Sequence, residues 1–273
     1  MFGEKRVEDH GRLVLGNVGE AFEFDTEPIA EFIAGLFVSG VVGVSGGNFA
    51  QGLAFAGQTL GVPTTIVMPE STPANYVEAT RGYGATVELV DDIAAAFRRV
   101  EDLALEGLTS LHPFDDPAMM AGNGTVGLEI VEDAPGLTDL FVSIGGGGLM
   151  TGVASAVKAL RPEVRVWGVE TVGADAMRRA LDAGRIVEME ITSIAKTLGA
   201  PWVSEHTLAA ATELLEDVVV VPDAAAFHSI LVLMERAKVM AEPAAACTLV
   251  AAERVWDRLD REVVLLLCGG NLS

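Results

Sequence analysis

From Val41 onward the apolar positions fall into two alternating kinds of segment. Short runs rich in β-branched residues, Val41–Val44, Thr64–Met68, Thr86–Val90, Val164–Val169, Val218–Val221 and Val263–Leu267, have the length and composition of buried strands. Between them lie longer Ala-rich stretches: Phe49–Leu60, Pro73–Gly82, Asp91–Leu105, Pro117–Ile130, Thr151–Leu160, Ala174–Ala183, Ala224–Met240 and Ala244–Leu259. These predict helices, punctuated by Gly61-Val62-Pro63, Pro69, Arg161-Pro162 and Glu242-Pro243. Strand and helix alternate almost throughout, so the predicted class is α/β, with parallel sheets covered on both faces. Ile186–Glu216 is mixed. Upstream the pattern is weak: Met1–His10 is charged, Gly16–Asp25 has no clear period, and only Ala30–Phe37 reads as an amphipathic helix.

One stretch carries more than a fold. Phe141-Val142-Ser143-Ile144 reads as a strand, Gly145-Gly146-Gly147-Gly148 as a loop, and Leu149-Met150-Thr151 leads into the helix. Glycines let backbone N–H groups approach a ligand closely, and the first-turn N–H groups of a helix have no intrahelical partner. That order predicts an anion site, a phosphate above all. It is neither G-x-x-x-x-G-K-[ST] nor a clean G-x-G-x-x-G, which argues against a nucleoside triphosphate or a dinucleotide. Loops at Ser45, Gly145 and Cys268 all follow strands, the end of a parallel sheet where ligands sit.

Composition narrows the partners. The chain has 273 residues, half of them hydrophobic, enough for one large or two small domains. No apolar run reaches the ~18 residues of a membrane span, and the charged start lacks the apolar core of a secretory signal. Cys247 and Cys268 are too few for a disulfide framework and lack metal-ligand spacing, so a cytoplasmic location is expected. Net charge is −21, with 39 acidic against 18 basic residues, and only Lys5, Lys158, Lys196 and Lys238 are lysine. Nucleic acid and anionic membranes are therefore not expected partners. An acidic, lysine-poor chain suggests a halophilic protein working in high salt.

Ser45-Gly46-Gly47-Asn48-Phe49-Ala50-Gln51-Gly52 and Gly61-Val62-Pro63-Thr64-Thr65-Ile66-Val67-Met68-Pro69 resemble the pyridoxal-phosphate enzymes of fold type II, the tryptophan synthase β-like group. The serine/threonine dehydratases are the nearest branch. The resemblance continues through Glu78–Ala85, His112-Pro113-Phe114-Asp115, the glycine loop, Ile191–Gly199, Ala241-Glu242-Pro243-Ala244 and Cys268-Gly269-Gly270-Asn271, covering about residues 41–273.

The resemblance implies two doubly wound parallel-sheet domains, a small one of residues 40–116 inserted in a larger one made of 1–39 and 117–273. It implies pyridoxal 5′-phosphate as cofactor, its phosphate held by the N–H groups of Gly145, Gly146, Gly147, Gly148 and Leu149. Asn48 would hydrogen-bond the cofactor's ring hydroxyl oxygen, and Cys268 would sit at the pyridine nitrogen. Ser45, Gly46 and Gly47, with Asn48, would bind the substrate carboxylate through a nest of N–H donors. Glu242 resembles an acid near the ring. The implied reaction is dehydration and deamination of L-serine or L-threonine to a 2-oxo acid and ammonia by a homodimer. A β-replacement enzyme such as threonine synthase is the nearest rival.

The departures are specific. The family's Schiff-base lysine would fall near Val18-Gly19, where none stands; Lys5, the only lysine upstream, is the remaining candidate for it, although its surroundings do not match the motif. A noncatalytic relative, or an N-terminal region truncated or rearranged relative to the family, is the alternative. Gly46 stands where racemases of the family carry serine, which argues against racemisation. Of a divalent-cation site, Glu170 and Ala174 match but Ala176 replaces the last ligand, with Asp175 one place early, so no metal is expected. With the sequence ending at Ser273, a regulatory domain of the kind found in biosynthetic threonine dehydratases is not expected.

Overall fold

The structure, a computed structural model, describes residues 12–14 and 39–271. The expected helix at Ala30–Phe37, the Val18-Gly19 position and Lys5 lie outside the described residues. The chain divides into two compact units. One comprises residues 39–119 with Asn271, and the other residues 12–14 with 120–270.

Four strands form the sheet of the first unit: β2 (Val41–Val44), β3 (Thr64–Pro69), β4 (Thr86–Val90) and β5 (Thr109–Ser110). They lie in the order β4-β3-β2-β5, every pair parallel. Helices α1 (Asn48–Leu60) and α2 (Ala74–Gly82) pack on one face, through Ala50, Ala54, Ile66, Met68 and Val77. Helix α3 (Ile93–Leu105) covers the other through Ala96, Val100 and Leu103 against Val42, Val44 and Val67. All of β2 is buried, which is why it reads as an unbroken apolar run. Asp92 starts α3 by accepting the Ala95 N–H at 2.7 Å. Gly61 ends α1 in the left-handed region at φ 66°.

The strands of the second unit are β1 (Arg12–Val14), β6 (Asp139–Ser143), β7 (Arg165–Thr171), β8 (Leu215–Val221) and β9 (Glu262–Leu265). They form one parallel sheet in the order β1-β9-β6-β7-β8. Helices α4 (Pro117–Asp133), α5 (Gly148–Leu160), α6 (Ala176–Ala183), α7 (Glu205–Leu214), α8 (Asp223–Val232) and α9 (Pro243–Arg254) complete it. Val142, Ile144, Met150, Val153 and Met177 belong to one core, and Phe141, Trp167, Val169, Ala244 and Cys247 to another. Helices α4 and α5 meet through glycines: a Cβ on Gly152 would lie 2.1 Å from the Met120 carbonyl oxygen and 2.8 Å from the Gly124 nitrogen.

The N-terminal ends of β6 and β7 are tied by one buried carboxylate. Asp139 accepts hydrogen bonds from Arg165 Nη2 (2.8 Å), Trp167 Nε1 (2.9 Å), the Asp260 N–H (3.0 Å) and Thr138 Oγ1 (2.9 Å). Burial alone would raise its pKa, but these donors outweigh it and hold the carboxyl below its ordinary value. Trp167 stacks on Phe141, and the Arg258 guanidinium lies 4.5 Å from its ring centroid.

Several elements differ from the sequence expectation. The helix expected over Ala224–Met240 ends at Val232, passes into a π-helical turn at Leu233–Ala237 and stops at Lys238, whose φ is 61°. The Lys238 ammonium closes that end on the Glu235 carbonyl. The helix expected over Ala244–Leu259 ends at Arg254 and gives way to a 3-10 turn, Trp256–Arg258. Helix α6 starts at Ala176 rather than Ala174, after Gly173 turns the chain at φ 86°. Inside the mixed Ile186–Glu216 segment lies α7, opened by a capping box between Ser204 and Thr207.

Candidate active site

The four-glycine loop leaves the C-terminal end of β6 and runs into α5, with Gly147 as the N-cap at φ 100°. Gly146, Gly147 and Gly148 are buried, and among the described residues no side chain caps the helix. The Ile144 N–H donates to Val169, and the Thr151 N–H donates to Gly147. Among the described residues the N–H groups between them find no backbone acceptor. Thr151 Oγ1, in the same first turn, is buried and has no hydrogen-bond partner among the described residues. Buried donors at a helix N-terminus call for an acceptor, and the dipole favours an anionic one. A Cβ would be in ordinary contact at Gly145 but has no room at Gly147. A Cβ on Gly145 would lie 3.4 Å from the Leu198 backbone, and one on Gly147 would lie 2.7 Å from Thr207 Cβ. The donor set therefore fits a phosphate.

Other groups of the same unit gather beside this cradle. Leu198 belongs to the 3-10 turn Lys196–Leu198, and its neighbour Thr197 donates Oγ1–H to Glu242 Oε1 at 2.6 Å. Glu242, almost fully buried, heads α9 and donates its own N–H to the Gly269 carbonyl. That contact joins it to the Cys268 loop beyond β9. Burial, with the charge of Glu242 adding to it, pushes the Cys268 thiol up to about 11, so the sulfur is neutral near pH 7. Cys247 is fully buried, its sulfur 3.6 Å from Ser143 Oγ, and burial raises it to about 12. The contact of Leu198 with the loop and the Thr197–Glu242 bond were not assigned from sequence, although all three residues fall within quoted motifs.

In the other unit, the Ser45-Gly46-Gly47 loop follows β2 and Asn48 opens α1. Part of the expected donor nest is engaged internally: the Ser45 N–H donates to Val67 O, and the Gly47 N–H to Ser45 Oγ. A Cβ on Gly46 would fall 2.7 Å from Thr72 Oγ1. Asn48 Oδ1 accepts from Asn271 Nδ2 at 2.6 Å, and the Asn271 carbonyl accepts from the hydroxyl of Tyr76 on α2 at 3.0 Å. His112 is a turn residue whose Nδ1 accepts the Phe114 and Asp115 N–H groups, and burial lowers its pKa.

Glu170 is a buried cap. Its carboxyl oxygens accept the Met177 and Arg178 N–H groups of α6, each at 2.8 Å. Burial pushes its pKa up to about 8 against those bonds. Asp175 accepts from the Gly173 N–H and pairs with Arg179. Of the described lysines, Lys158 reaches the Pro162 carbonyl from the last turn of α5 and Lys238 the Glu235 carbonyl. Lys196 is exposed on the turn that backs the glycine loop.

A parallel α/β fold with an uncapped, glycine-lined helix N-terminus at a strand end defines a phosphate-anchored cofactor or substrate site. The family described as pyridoxal-phosphate dependent enzymes matches residues 33–269, and the chain belongs to it. L-threonine ammonia-lyase of Geobacter sulfurreducens is 40% identical over 93% of this chain and 63% of its own length. The catabolic L-threonine dehydratase TdcB of Staphylococcus aureus is 36% identical over 86% of this chain and 70% of its own. The threonine deaminase of T.th. superposes with a TM-score of 0.81 at 38% identity, covering 86% of this chain and 78% of that one. Maize serine racemase gives a TM-score of 0.81 at 33% identity, over 86% and 74%. The fold is thus that of fold type II. The chain spans a little under two thirds of the Geobacter relative.

Proposed function

We propose that the chain belongs to a pyridoxal-phosphate-dependent ammonia-lyase that converts L-threonine or L-serine to a 2-oxo acid and ammonia. The observation that carries this is the buried, uncapped start of α5 behind four glycines. In this reading the N–H groups of Gly145 to Leu149 hold the cofactor phosphate, and Asn48 donates to the ring hydroxyl oxygen. Cys268 faces the pyridine nitrogen as a neutral thiol, which leaves that nitrogen unprotonated. The Ser45-Gly46-Gly47 loop and Asn48 receive the substrate carboxylate. The bound cofactor supplies an electron sink that loosens the substrate Cα proton. Glu242, held by Thr197, fixes the Cys268 loop through the Gly269 carbonyl.

A small domain of residues 40–116 inserted in a large one, a homodimer, a cytoplasmic location and a high-salt working environment complete the proposal. Two free thiols and no helix long and apolar enough to cross a membrane among the described residues are compatible with it. The high negative charge favours a small-molecule substrate over nucleic acid.

A second reading, a cofactor-binding relative without chemistry, is favoured by the absence of lysine at Val18-Gly19. One experiment separates the two. The protein is purified in high salt with pyridoxal phosphate, reduced with borohydride and mapped by peptide. A label on a lysine, together with 2-oxo acid and ammonia from threonine or serine, supports the lyase. No label on any lysine, with the cofactor still bound, leaves the binding relative.

A further inference from the structure

We infer that the hydroxyl of Thr151 is a side-chain ligand of the cofactor phosphate, added to the backbone donors of the glycine loop. The inference rests on the reading of that loop as the phosphate site. A threonine inside a helix has a ready acceptor in the carbonyl three or four residues back, and its hydroxyl often takes it. Every other threonine of α1 to α9 does so: Thr59, Thr80, Thr125, Thr207, Thr212 and Thr248. Thr151 has the same choice, because the Gly147 carbonyl lies four residues back and accepts its N–H at 2.8 Å. Its hydroxyl nevertheless has no partner among the described residues, in a residue only 8% exposed.

A hydroxyl taken out of water and left unpaired costs free energy, so this one calls for an acceptor from outside the chain. Helical side chains lean back toward the N-terminus and lie over the preceding turn. For Thr151 that turn begins at Gly147-Gly148, which carry no side chain, beside the free N–H groups of the loop. Backbone donors and hydroxyl thus serve one anion. The N–H groups point where the backbone fixes them, whereas the hydroxyl rotates about its C–O bond and can follow a phosphate oxygen.

Thr151→Val keeps the shape and removes the hydroxyl. Binding of pyridoxal 5′-phosphate and of pyridoxal, which lacks the phosphate, is measured by isothermal titration on the full chain in high salt. Each variant is also melted without ligand. Wild type should prefer the phosphate-bearing ligand. Thr151→Val should cut that preference about 10-fold, the size of one hydrogen bond to a charged group, with affinity for pyridoxal within about 2-fold of wild type. Its ligand-free melting temperature should hold or rise, since an unpaired polar group has left the interior. Weaker phosphate binding without weaker folding is a combination that a packing role does not produce. Thr151→Ser, which keeps the hydroxyl, should retain most of the preference.

A wild-type preference in Thr151→Val, equal weakening of both ligands, or a lowered ligand-free melting temperature there overturns the inference. So does a preference lost as fully in Thr151→Ser as in Thr151→Val. In each of these cases the glycine loop remains the phosphate site as long as wild type prefers the phosphate-bearing ligand. A wild type without that preference overturns both.

Discussion

Two buried carboxylates respond to pH in opposite directions. Asp139, with four donors and a folded pKa below its ordinary value of 3.8, contributes stability above that value and loses it as pH falls through the folded pKa. Asp139→Asn is expected to cost about 3 kcal/mol near neutrality, as for other broken buried ion pairs. Urea unfolding at pH 7 and pH 3 should show the gap closing in acid. Glu170 is raised from 4.5 to about 8, so its contribution is full below 4.5 and is lost as pH rises through about 8. Melting curves from pH 5 to pH 9 should fall less steeply for Glu170→Gln than for wild type. Gly147 combines φ 100° with a Cβ position 2.7 Å from Thr207. Gly147→Ala is therefore expected to lose about 2 kcal/mol of stability and much of the affinity for pyridoxal phosphate, read by unfolding and by titration. The glycine loop was legible because its composition states its geometry. Asp139 was not, because an acid at a strand entrance looks like any other until its donors, drawn from positions 138, 165, 167 and 260, are brought to it.

At the scale of elements, the crossing of α4 and α5 depends on having no side chain at Gly152. Gly152→Ala would gain about 1 kcal/mol of helix propensity. It would also press a methyl into the Met120 carbonyl and the Gly124 backbone, a cost of up to about 3 kcal/mol. A net loss of stability by urea titration is expected, and a gain would show that the helices can part. Periodicity found the strands and most helices of residues 41–267, since these are apolar runs bounded by glycine and proline. It failed where local chemistry overrode composition. Lys238 ends a stretch that reads as continuous helix, and Ser204 with Thr207 opens a helix without the acidic residue that usually marks a capping box. A strand as short as Thr109–Ser110 has no period to detect and exists through its pairing with β2.

For the whole molecule the decisive quantity is charge. At −21, mutual repulsion opposes the folded state, and salt screens it over a Debye length of about 3 Å at 1 M against about 10 Å at 0.1 M. The melting temperature is expected to rise between 0.1 M and molar salt, and a flat response in a calorimetric series would remove the high-salt proposal. The family was legible as an ordered set of motifs, and the α/β class as an alternation. The Asn48–Asn271 pair was not, because partners 223 residues apart leave no local trace.

The sheet of the second unit also has a temporal side. Strand β9 lies between β1 and β6, pairing Leu13 with Val263 on one side and Leu140 with Val264 on the other. On the ribosome the two outer partners emerge long before the strand that joins them. Until Glu262–Leu265 leaves the exit tunnel, β1 and β6 hold open edges with nothing to fill the gap, the condition under which nascent chains turn to chaperones. The order of synthesis thus makes this half of the protein a late folder, whatever the stability of the finished sheet.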